Sequence, residues 1–73
     1  MDALERAILH ELATARALTA SDLAERLQVA HWANLSTALN TLVASGYVSV
    51  TGPLGRPETT YRIHARGKAK EQA

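Results

Sequence analysis

The 73-residue chain has no cysteine, no phenylalanine, one tryptophan and two prolines. Without cysteine there is neither a disulfide framework nor a thiolate metal site, a composition that suits a reducing compartment and points to the cytoplasm. No apolar run approaches the roughly 20 residues needed to cross a bilayer. The opening MDALERAILHELATAR is charged throughout, unlike the uninterrupted apolar core of a secretion signal. His10, His31 and His64 lack the i,i+3 or i,i+4 spacing of a helical metal site. There is no nucleophile motif and no glycine-rich phosphate loop opening a helix. No metal, cofactor or catalysis is therefore expected. The core should be small, aliphatic and built mainly from helices, in a single domain near the lower size limit for folding without a staple.

Charge is present but unevenly placed. Residues 1–50 carry three cations against five acids, whereas residues 51–73 carry five cations against two acids. A positive end of this kind suits a polyanionic partner.

Hydrophobic spacing sets the expected elements. Asp2 can cap a first helix in which Leu4, Ile8 and Leu12 recur every four residues with Ala7 and Ala15 beside them, fading near Arg16. Leu9 lies off that stripe and is expected at an edge of the core or against a partner. Thr19 and Asp22 have the spacing of a capping box before a short helix over residues 20–27, carrying Leu23, Ala24 and Leu27. A third helix is expected through HWANLSTALNTLVASG, with Asn34 a possible cap and Gly46 its stop. At 100° per residue Trp32, Leu35, Ala38, Leu39, Leu42 and Val43 fill an apolar arc of roughly 140°. Asn34, Thr37, Asn40 and Thr41 lie on the other side, and no Lys or Arg does. Beyond Gly46 the period changes to two. Residues 47–51 and 59–64 read as strands of a hairpin, with Val48, Val50, Tyr61 and Ile63 inward, around the turn-forming GPLGRPE. Residues 1–67 are assigned to the domain and 68–73 to a frayed basic tail, a short terminal helix being the alternative.

The segments LTASDLAERLQV, LSTALNTLVASGYV and GRPETTYRIHARG, in this order, resemble the winged helix-turn-helix family of bacterial regulators, particularly the MarR-like and PadR-like types. The resemblance covers residues 17–67. It implies an α+β, mainly helical fold of three helices followed by a two-stranded hairpin wing. It further implies a cytoplasmic, homodimeric transcriptional regulator that binds duplex DNA, with the third helix in the major groove and residues 52–57 on the backbone or minor groove. The contacts it implies come from Asn34, Ser36, Thr37, Asn40 and Thr41 on the helix and from Arg56, Arg62 and Lys68 beyond it. An Asn amide can pair with adenine through two hydrogen bonds, and an arginine can enter a narrow minor groove.

Three features depart from the family pattern. The turn before the third helix is one residue longer than usual, and His64 stands where threonine is common. The third helix also lacks outward cations, so DNA affinity would fall to Arg56, Arg62, Arg66, Lys68, Lys70 and helix N-termini, favouring a dimer that doubles the contacts. The same bland face suits a winged-helix adaptor that binds another protein. A phage or mobile-element excisionase-like architectural role is a third possibility.

Overall fold

The structure, a computed structural model, describes residues 1–72. It contains α1 (Ala3–Ala15), β1 (Ala17–Thr19), α2 (Ala20–Leu27), α3 (Trp32–Ala44), β2 (Val48–Thr51), β3 (Thr60–Ile63) and α4 (Ala65–Gln72). The α+β, mainly helical winged architecture is the one expected, extended by β1 and α4.

Asp2 caps α1 by accepting the Glu5 N–H at 2.8 Å. The helix buries Ile8, Leu9 and Leu12 completely. Leu9 is thus neither an edge nor a partner residue. Because α2, α3, β3 and α4 all pack on α1, its covered face is wider than the single stripe read from the sequence. Arg16 ends α1 at φ 73°, ψ −54°, its N–H donating to the Leu12 carbonyl at 2.9 Å.

Thr19 and Asp22 form the anticipated capping box. The Asp22 N–H donates to Thr19 Oγ1 (3.0 Å) and the Thr19 N–H to Asp22 Oδ2 (3.2 Å), satisfying two amides that the first turn of α2 leaves open. The chain then turns through Gln28 in the left-handed region and enters α3 at His31, which caps without a side-chain bond. Asn34 is therefore a helical residue and not the cap. In α3 the buried set is Leu35, Ala38, Leu39 and Leu42, an arc of roughly 100° and not 140°. Trp32, at the edge of that arc in the first turn, keeps 38% of its surface exposed, so it is not a core residue. Gly46 at φ +79° ends the helix. Its N–H donates to Val43 O and the Tyr47 N–H to Leu42 O, both at 3.0 Å, the paired bonds that close a helix at a left-handed glycine.

The hairpin expected from the sequence is part of a three-stranded antiparallel sheet, order β1-β3-β2. Three residues are too few to show alternation, so Ala17-Leu18-Thr19 carries no strand signal of its own. It is recruited by the free edge of β3, with Leu18 opposite Tyr61. Leu18, Val48 and Tyr61 are buried on the inner face, with Val50 and Ile63 half-buried beside them. The outer face carries Ala17, Arg62 and Ser49 in one cross-strand row.

Residues 65–72 form a helix docked on α1, so the expected boundary after Gly67 falls inside an element; residue 73 lies outside the described residues. Glu71 meets His10 Nδ1 at 3.0 Å. The seat of α4 is Gly67, where an added Cβ would stand 2.1 Å from the Tyr47 carbonyl oxygen. That carbonyl also accepts the His64 N–H at 2.9 Å. The final glycine of the TYRIHARG segment is thus required by close approach of two backbones.

Candidate nucleic-acid interface

The α2–turn–α3 unit leaves one side of α3 uncovered. Asn34, Thr37, Asn40 and Thr41 are exposed and Ser36 is half-buried at the flank. Thr41 donates its hydroxyl to the Thr37 carbonyl at 3.0 Å, so its proton is engaged within the helix. Among the described residues the side-chain amides of Asn34 and Asn40 and the Ser36 hydroxyl make no intramolecular hydrogen bond. Their donors and acceptors stay free for an outside partner. The absence of basic residues on this face follows from composition alone: α3 is WANLSTALNTLVA.

Arg56 lies in the loop 52–59 between β2 and β3. Gly52 (φ +103°) and Gly55 (φ +83°) supply the two left-handed turns that L-residues resist. The loop does not swing free. Thr59, 2% exposed, donates its hydroxyl to the Pro53 carbonyl across the loop base. The first amides of α2 bind the same segment, Ala20 N–H to Thr59 O (3.0 Å) and Ser21 N–H to Pro57 O (2.9 Å). These bonds consume amides that α2 could not pair internally and fix the loop beside the start of α2. Arg56 itself is exposed. Beneath the loop, burial pushes the Tyr61 phenol above its ordinary pKa of 10.0, with the Gly55 backbone pulling weakly the other way.

Arg62 and Lys68 are placed elsewhere. Together with Arg16, Ala13 and Ile63 they line a groove between the C-terminus of α1, β3 and α4. The eight expected contact residues therefore occupy the α3 face, the loop and this separate groove. Arg16 joins the third of these without any signal in the sequence, where it is only the last charge of an amphipathic helix. Trp32, on the apolar arc and so expected at the core or its edge, stands at the edge, 38% exposed, at the entrance of α3.

Among the described residues, no helix is long and apolar enough to cross a membrane. Among the described residues, no cluster of three His, Asp or Glu is arranged to hold a metal ion.

A helix–turn–helix braced by a three-stranded sheet, with a hairpin loop pinned beside its first helix, is a winged helix. The chain belongs to the MarR family, whose model matches residues 1–55. Its fold matches that of the multiple antibiotic-resistance repressor (MarR) from Listeria monocytogenes, with a TM-score of 0.91 at 15% identity. The match covers 99% of this chain and 49% of the repressor, so the chain spans about half the length of that solved structure. No curated protein matches the chain in sequence.

Proposed function

We propose that the chain is a transcriptional regulator that binds duplex DNA, with the outward face of α3 in the major groove and the 52–59 loop on the backbone or minor groove. Family membership and the winged fold support the regulator class. The observation that carries the finer reading is the free hydrogen-bonding edge of α3. Asn34 and Asn40 hold unpaired amides on a helix whose opposite face is locked in the core, and such amides read adenine. Arg56, held by a loop tied to α2, supplies the nearby cation.

Few cations at the interface make a single module a weak binder, so two copies on a two-fold site are part of the proposal. Leu9, fully enclosed, does not supply the contact between copies. The exposed side of α4 is mostly polar.

Selection of bound sequences from a random duplex pool tests the reading. A short enriched motif is expected, relaxed at one position by Asn40→Ala. Recovery of unenriched DNA would refute specific readout. The cation-free α3 face favours one second reading, an adaptor that docks a protein there; that adaptor would retain no duplex even at low salt.

A further inference from the structure

We propose that Leu54 is a specificity-determining wedge at the tip of the 52–59 loop, entering the minor groove beside Arg56 and pressing on a deformable base step. The inference rests on the duplex-binding reading and adds to it a residue that reads shape, where the α3 amides read base edges. Among the described residues Leu54 is the most exposed large apolar side chain, at 50%. It stands outside the core cluster and outside the half-buried residues packed against that cluster. A wetted leucine adds no burial to the fold, so its apolar surface is available to a partner. On a minor-groove binding loop such a side chain has a defined use. It enters between base pairs, partly unstacks them and kinks the duplex.

Isolated exposed leucines are ordinary on protein surfaces; this one is set apart by its mounting. Leu54 and Gly55 form the turn at the apex of the loop, with Gly55 at φ +83°. The residues on either side, Pro53 and Arg56, are both held by Thr59. Its hydroxyl donates to the Pro53 carbonyl and its N–H to the Arg56 carbonyl at 3.3 Å. Thr59 is itself buried, and its own carbonyl accepts the Ala20 N–H at the start of α2. One buried threonine thus fixes both shoulders of a two-residue tip, so the tip is ordered before it binds and little entropy is lost on binding. Space about the apex is open: a Cβ built on Gly55 would meet no atom within 4 Å. Charge agrees with a duplex as the occupant. Arg56 stands two positions from Leu54, and the loop's one acid, Glu58, lies between Pro57 and Thr59, the two residues bonded to α2. A narrow minor groove draws an arginine, and a pyrimidine–purine step yields most easily to a wedge.

Selection from the random duplex pool is repeated with Leu54→Ala beside the wild type, and the affinity of both for the wild-type motif is titrated against salt. The wild-type pool should carry a pyrimidine–purine step outside the bases read by α3. The Leu54→Ala pool should keep the α3 motif and lose that step. Leu54→Ala should also weaken binding roughly fivefold to tenfold at every salt concentration without changing the slope, because apolar burial releases no counterions. Leu54→Met, apolar and of similar size, should restore both the affinity and the step. Tm should match the wild type in both variants, since the tip is exposed; a Tm lowered by Leu54→Ala would make Leu54 a residue of the fold and overturn the wedge. Identical pools, or no measurable loss of affinity, overturn the wedge while leaving duplex binding in place. A shallower salt slope in Leu54→Ala would assign the effect to the charge of the loop and overturn it as well. A wild type that binds no duplex overturns the regulator reading and the wedge together.

Discussion

Gly67→Ala separates a docked α4 from a solvated tail by the sign of its effect. In a solvated helix alanine is favoured over glycine by up to about 1 kcal/mol, so the substitution would stabilise. In this fold the new methyl would stand 2.1 Å from the Tyr47 carbonyl oxygen, 3.0 Å from its carbon and 3.0 Å from Ile63 Cγ1. That is more than about 1 Å inside the ~3.3 Å approach of a C–H to a carbonyl oxygen. Two of the neighbours are backbone, so relief requires α4 to move. Overpacking of this kind costs about 1–3 kcal/mol. Shifting the Tyr47 carbonyl also weakens its 2.9 Å bond from the His64 N–H, worth about 1 kcal/mol. After the propensity gain, a net loss of about 2 kcal/mol remains. At about 4–8 °C per kcal/mol for a domain this size, Tm should fall by about 8–16 °C. Thermal unfolding followed by far-UV circular dichroism measures it. An unchanged or raised Tm would mean that α4 is not seated against Tyr47.

Leu9→Ala should cost about 2–5 kcal/mol in denaturant unfolding, as for any enclosed leucine; a loss below about 0.5 kcal/mol would return Leu9 to the surface. Trp32 is the single tryptophan and is 38% exposed, so its free emission should be that of a wetted indole, changing when duplex covers the start of α3. Emission indifferent to bound duplex would place the contact elsewhere. The Tyr61 phenol, raised above 10.0 by burial, keeps its proton in the fold longer than in the unfolded chain. Its contribution is therefore complete below about pH 10 and declines as pH rises through the folded value. Tyr61→Phe should flatten that alkaline decline; an identical decline in both proteins would assign it to other groups.

Local signals in the sequence were sufficient for the elements that form from neighbouring residues. The Thr19–Asp22 box, the Asp2 cap and the Gly46 stop each depend on a few adjacent positions, and each appears as spacing. What depends on distant chain segments was not legible. β1 exists because β3 offers an edge some 40 positions away, and α4 docks because Gly67 admits the Tyr47 carbonyl. Leu9 is covered more fully than its position on the wheel implied, because a helical wheel gives angle but not how far the neighbouring elements reach. The outward face of α3 was readable because amphipathicity names the wet side directly. The groove was not, since Arg16, Arg62 and Lys68 are brought together only by the packing of α1, β3 and α4.

Duplex affinity measured against salt tests the central claim most directly, carried out on the wild type and on Arg56→Ala. Binding should weaken as salt rises, with log K falling about 0.9 per neutralised phosphate for each tenfold increase. The Arg56→Ala slope should be shallower by about 1 if Arg56 lies on a phosphate, and its affinity lower at every salt concentration. No binding at low salt, or two superimposable titrations, would contradict a duplex-binding surface built from α3 and the 52–59 loop.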